Sequence, residues 1–189
     1  MFKSRALHPS ADLADPAELT TSEVFREHAP YAWRVLRRLG VAEGDVDDVC
    51  QEVFVTVHRR LHSFEGRSAL RTWVYGICLR VASDYRKRVR RAREVVTDLA
   101  AEPAVDPRQE EAMSLRQARA TLDTILDQLD DDRRAVFVLY EIEELPMADV
   151  AQLTGCPVQT AYSRLHAARR DVEAAVKRLH AAAARGGTP

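Results

Sequence analysis

Between residues 150 and 172 runs VAQLTGCPVQTAYSRLHAARRDV, in which Gln159, Thr160, Tyr162, Ser163, Arg164, His166 and Arg169 are the side chains with chemistry to offer. They form no nucleophile and base pair and no metal set. What they share is the capacity to hydrogen-bond phosphate oxygens and base edges. They fall on the outward side of a helix if Ala161 and Leu165 face inward. A helix-turn-helix that reads DNA needs a short first helix, a turn residue tolerant of left-handed geometry and small residues at the crossing. Here Ala151 is the small residue at the crossing, Gly155 sits in the turn and Pro157 stands at a helix start. An ordinary helical hairpin with a polar exposed face fits the same pattern.

Helices must position these groups. Aromatics make up 6% of the 189 residues and glycine only seven, while Ala, Leu, Val, Arg and Glu dominate, a composition that suits helix over twisted sheet. With 46% apolar and 30% charged residues the chain can bury one modest core or two small ones. The expected fold class is all-α, with two small helical domains joined by a flexible linker.

A first helix is expected from Thr21 or Ser22, with Val24, Phe25, Ala32, Val35, Leu36 and Leu39 on one face, Pro30 kinking or dividing it, and Gly40 as its stop. A second starts at Asp45, whose carboxylate can cap it. Its apolar positions Val46, Val49, Val53, Val57 and Leu61 recur every third or fourth residue, opposite Asp47, Asp48, Gln51 and Glu52. A third, capped by Ser68, turns Trp73, Val74, Ile77, Val81 and Tyr85 toward a core. It runs into RVASDYRKRVRRAR (residues 80–93), seven Lys or Arg against one Asp; residues 98–111 reverse this with five acids against one Arg. Pro103, with Pro107 just beyond, and no sustained period over residues 93–106 fit a linker. Met113, Leu122, Ile125, Leu126 and Leu129 then mark a fourth helix, and Ala135, Val136, Leu139 and Tyr140 a fifth. Short helices at Met147 to Thr154 and Val158 to about His180 flank Gly155-Cys156-Pro157. The layout expected is a flexible arm (1–20), a first domain (21–92), a linker (93–111), a second domain (112–180) and a disordered tail (181–189).

Several functions are excluded or disfavoured. No stretch approaches the roughly 18 apolar residues of a membrane span, and the N-terminal residues lack an apolar export core, so a cytoplasmic protein is expected. Cys50, Cys78 and Cys156 are odd in number and far apart, which suits packing better than redox or zinc chemistry. His58 and His62 share a helical face, but the helix ends there, and no metal is expected. No catalytic set and no nucleotide-binding glycine loop occurs, so no enzyme activity, cofactor or small-molecule substrate is expected. The net charge of −1 says nothing for a polyanionic partner; the segregation of charge says more.

Three strings in order, DVDDVCQEVFVTVHRRLHSF (45–64), EGRSALRTWVYGICLRVASDYRKR (65–88) and LDQLDDDRRAVFVLYEIEELPMADVAQLTGCPVQTAYSRLHAARRDV (126–172), resemble the extracytoplasmic-function (ECF) subfamily of the sigma-70 family of RNA polymerase sigma factors. The likeness spans roughly residues 22–178. It implies a first domain that binds core RNA polymerase and melts the minus-ten element, and a second whose helix-turn-helix reads the minus-thirty-five element. By position, Asp48, Gln51, Glu52 and Phe54 resemble the helix that docks on the polymerase β′ coiled coil, and the second domain the one that meets the β flap. Arg67, Ser68, Arg71, Thr72, Trp73 and Tyr75 resemble the part that holds the unwound strand. Bases there stack on aromatic faces while arginines track phosphates. The spacing of Trp73 with Ile77 and Val81 also suits a core anchor. The basic run, Arg86, Lys87 and Arg88 foremost, would meet duplex phosphate. Major-groove contacts map onto Gln159, Tyr162, Ser163, Arg164, His166 and Arg169, with Thr160 near phosphate.

Two departures stand out. The family often has Gly, Lys or Arg, and Arg at the positions of Gln159, Tyr162 and Ala167, which leaves fewer contacts here. It commonly has Asn where Arg80 stands, and a guanidinium does not reproduce the amide's paired donor and acceptor. The resemblance also implies an anti-sigma partner, one able to hold the protein at the membrane. With only a short end beyond His180, autoregulation from within the chain is not expected. Two rivals from other classes are a stand-alone helix-turn-helix regulator, which would dimerise on paired half-sites, and a helical adaptor that binds only proteins.

Overall fold

The computed structural model describes residues 19–95 and 110–186, with side chains over 19–92 and 117–182. The expected N-terminal arm up to residue 18, most of the expected linker (96–109) and the last three residues lie outside the described residues. Among the described residues every regular element is helical: α1 (Thr21–Arg38), α2 (Val46–Arg60), α3 (Leu70–Val95), α4 (Glu110–Leu126), α5 (Asp131–Phe137), α6 (Met147–Thr154) and α7 (Val158–Gly186). Helices α1, α2 and α3 pack on one another, as do α5, α6 and α7; α4 touches α7 and α1, and α3 touches α6.

Local chemistry sets the helix ends, and several differ from expectation. Helix α1 is capped by Thr20, whose Oγ1 accepts from the Glu23 amide (3.3 Å) while Glu23 Oε2 accepts from the Thr20 amide (3.0 Å). This reciprocal capping box satisfies two amides that Thr21 or Ser22 would leave unpaired. Thr20→Ala is expected to cost about 1 kcal/mol of folding free energy, read as a lower urea midpoint at unchanged m-value. Pro30 does not divide α1. It and Arg26, whose carbonyl loses its amide partner, both lie on the exposed face, where water can take that carbonyl.

Asp45 makes no side-chain cap to α2; its Oδ2 accepts from the Tyr85 hydroxyl at 2.5 Å and ties the start of α2 to α3. Ser68 does not cap α3, which begins two residues later; its hydroxyl turns to the Ala69 carbonyl (3.4 Å). The expected fifth helix is shorter, since α5 passes into a π-helical turn over Val138–Ile142. Beyond it Glu144 adopts φ +56°, a left-handed conformation unusual outside glycine. Helix α7 outruns the expected end near His180, consistent with the helix propensity of Ala181–Ala184.

The core is one connected cluster. Val24, Ala32, Val35, Leu36 and Leu39 from α1 and its end, Val49, Val53 and Val57 from α2, and Val74, Cys78 and Ala82 from α3 fill the first half. Val136, Leu139, Val150, Ala161, Leu165 and Ala168 fill the second. Burial raises the thiol pKa of Cys50 and of Cys78, which keeps both as protonated packing groups.

Candidate nucleic-acid interface

The turn between α6 and α7 has the expected geometry. Gly155 closes α6 in the left-handed region (φ +65°, ψ +33°), and the Cys156 amide reaches back to the Ala151 carbonyl at 3.0 Å. Helix α7 turns Ala161, Leu165 and Ala168 inward, all at most 1% exposed, against α5 and α6. Gln159, Thr160, Tyr162, Ser163, His166 and Arg169 are left on the exposed side, with Arg164 partly covered. The arginines are already held: Arg164 Nη2 bonds the Asp132 carboxylate, and Arg169 Nε donates to Glu141 at 2.6 Å. These pairs orient both guanidiniums and are exposed enough to exchange for phosphate.

The first half gathers the remaining expected residues unevenly. Asp48, Gln51 and Glu52 are exposed on α2, whereas Phe54 is buried, edge-on to the half-exposed Phe25 (centroids 4.8 Å apart). Arg88 Nη2 donates to both Glu52 oxygens at 3.1 Å, so a residue expected to meet polymerase is paired with one expected to meet DNA. Arg67 and Ser68 lie exposed before α3, with Arg67 2.5 Å from Glu65. Thr72 and Trp73 are half-buried, and the Trp73 ring leans on Phe64 at 5.3 Å. Arg71 is exposed with its guanidinium 4.1 Å from the Tyr31 ring centroid, while Tyr75 is only 1% exposed. Arg80 and Lys87 are exposed. Arg86 is not: its Nη1 donates to the Leu39 carbonyl and its Nε lies 2.8 Å from Asp131 of α5.

Comparison with known proteins gives the fold its family. The chain matches the family models for sigma-70 region 2 over residues 24–92 and sigma-70 region 4 over residues 119–172. It is 34% identical over 150 residues to the ECF RNA polymerase sigma-E factor of Haemophilus influenzae, covering 74% of this chain and 78% of that one. The chain is an ECF sigma factor of the sigma-70 family. Among this sigma factor's other relatives are the RNA polymerase sigma-H factor of Pseudomonas aeruginosa, 33% identical over 71% of this chain and 75% of that one, and the sigma-E factor of Escherichia coli K12, 32% identical over 74% and 78%. Two solved structures share its fold. CnrH, solved with the cytosolic domain of CnrY, gives a TM-score of 0.64 at 24% identity over 87% of this chain and 94% of that one. RpoE, solved with the anti-sigma factor NepR from Bartonella quintana, gives 0.66 at 22% over 82% and 96%. As a sigma factor the protein is a transcription initiation factor and not an enzyme, and region 4 carries the DNA-binding helix-turn-helix.

In this sigma factor regions 2 and 4 meet along a largely polar seam. Glu143, in the turn after the π-helical segment, reaches Arg38 (2.5 Å) and the hydroxyls of Tyr31 (2.9 Å) and Tyr75, with Arg71 at 3.5 Å. Arg37 donates to Asp123 of α4 at 3.1 Å. Arg134 is 5% exposed, bonds the Leu126 carbonyl at 2.8 Å, and lies where a Cβ on Gly40 would be. Leu153 of α6 fits over Gly76 of α3, where an added Cβ would stand 3.0 Å from its Cδ2. Tyr31, Arg38 and Glu143 escaped sequence reasoning. The first two sit on a helix whose apolar stripe drew the reading, and the third in a turn whose partners are 68 to 112 residues away.

Proposed function

We propose that this sigma factor engages promoter and polymerase with two modules, residues 21–92 and 112–180, each too weak alone. Tethering through the intervening segment raises the effective concentration of one once the other is bound. Core polymerase docks through its β′ coiled coil on the exposed Asp48, Gln51 and Glu52 of α2, beside the Phe25 and Phe54 rings, and through its β flap on region 4. The melted minus-ten strand lies along Arg67, Ser68, Arg71, Thr72, Trp73 and Tyr75 and passes Arg80, while Arg86, Lys87 and Arg88 face duplex phosphate once their present ion pairs exchange. Region 4 reads the minus-thirty-five major groove with Gln159, Tyr162, Ser163, Arg164, His166 and Arg169, and Thr160 takes a phosphate.

The observation that carries this reading is the division of α7 after the turn, where the inward Ala161, Leu165 and Ala168 are small or apolar and the outward Gln159, Thr160, Tyr162, Ser163, His166 and Arg169 are able to hydrogen-bond. Control by an anti-sigma factor is part of the proposal, supported by the fold neighbour RpoE, which was solved with the anti-sigma factor NepR. So is a cytoplasmic site of action, with membrane attachment only through that partner; among the described residues no helix is long and apolar enough to cross a membrane.

Run-off transcription with bacterial core polymerase on a promoter-fragment library tests it. Specific transcripts are expected only when the protein is added, and Arg71→Ala is expected to lower open-complex formation about tenfold on the selected promoter. Duplex binding without any transcript would instead favour a stand-alone regulator.

A further inference from the structure

The four groups that hold Glu143 are Tyr31 and Arg38 from α1 and Arg71 and Tyr75 from α3. The Glu143 side chain is 4% exposed, and two guanidiniums and two hydroxyls converge on its carboxylate and satisfy its oxygens. The Tyr31 and Tyr75 rings meet edge to face at 4.7 Å, and Arg71 stacks on the Tyr31 face at 4.1 Å. Burial, and then the Glu143 charge, raises the pKa of the Tyr31 hydroxyl and keeps it a donor. Without Glu143 the same arrangement would present two cations, two hydroxyl donors and aromatic rings to solvent. Those are the components with which proteins bind a single-stranded backbone and its bases.

We propose that Tyr31, Arg38, Arg71 and Tyr75 form one anion seat, filled by the Glu143 carboxylate when regions 2 and 4 are closed and by a phosphodiester of single-stranded DNA when they part. Glu143 is then an internal competitor of the strand. The seat extends the strand site from α3 onto α1 and makes opening of the seam a condition for binding. This rests on the reading of α3 as the strand-binding helix, and it runs against the expectation that the chain carries no regulation of its own.

The test uses the full chain and a fluorescent single-stranded oligodeoxythymidine, followed by anisotropy. Glu143→Ala is expected to tighten binding about tenfold and to steepen the dependence of log affinity on log salt by about one, as two arginines become available to phosphate. Glu143→Gln, which keeps the shape and removes the charge, should move affinity the same way by a smaller factor, and decides the matter if the alanine variant does not fold. Adding Arg38→Ala to either variant should abolish the gain. Unchanged affinity in the Glu143 variants overturns the seat, and so does a gain that survives Arg38→Ala, since the strand would then be using another surface freed by opening. Run-off transcription separates the two levels: a wild-type protein that directs transcription while Glu143→Ala fails to tighten keeps the sigma reading and loses the seat. A wild-type protein inactive with polymerase loses the reading whatever the oligonucleotide shows.

Discussion

Leu165→Ala is expected to destabilise the protein by about 4 kcal/mol, measured as a lower urea midpoint and a Tm lower by several degrees. The side chain is 1% exposed and lies on the inward face of α7 between Ala161 and Ala168, both fully buried. With alanine on either side, no long neighbour on that stripe can swing in to fill the space left by the isobutyl group. The loss should therefore fall toward the upper part of the usual range for a core leucine. The same cavity loosens the crossing of α7 on α5 and α6, so duplex affinity should fall along with stability. Tyr162→Ala three residues away is the control. Its ring is 40% exposed, and stability should change by no more than about 0.5 kcal/mol.

The second large effect concerns binding. Arg164→Ala combined with Arg169→Ala should weaken the holoenzyme's affinity for its promoter about a hundredfold and make the dependence of log affinity on log salt shallower by about two. Both guanidiniums are presented by α7 and oriented by Asp132 and Glu141, so little conformational entropy is lost when they exchange a carboxylate for DNA. Anisotropy across a salt series on the promoter selected by run-off transcription gives both quantities. An unchanged slope would mean that these arginines do not touch phosphate or base and that region 4 uses another face.

How much of this could be read from the chain alone depends on how far apart the interacting residues lie. The helix-turn-helix was legible because its determinants are local: Gly155 at a left-handed turn, Pro157 at a helix start, and Ala161 and Leu165 one turn apart. The apolar repeat of α2 was legible for the same reason. The start of α1 was nearly so. Thr20 with Glu23 three residues later is a complete capping box, but Thr21 and Ser22 are equally competent hydroxyls and masked it.

Partners from far along the sequence were not legible. Asp45 looks like a cap until Tyr85, 40 residues on, takes its carboxylate. Arg86 belongs by charge to an exposed basic run, yet the Leu39 carbonyl and Asp131 draw it inward. Tyr75 falls on the stretch that resembles a strand-binding surface, yet in the closed chain it lies beneath Glu143. Periodicity carries no information about which surface of one half will be covered by the other.

Gly76 bears on that coverage. Leu153 lies so close above it that even a methyl group makes a tight contact, and a branched or aromatic side chain would need the space that α6 now occupies. A single position on α3 therefore acts as a spacer that sets whether the two regions are able to rest against each other. In this chain, Gly76→Ala should leave the two regions able to close, whereas Gly76→Leu should prop them apart, so that one side chain would convert a resting-closed molecule into a resting-open one.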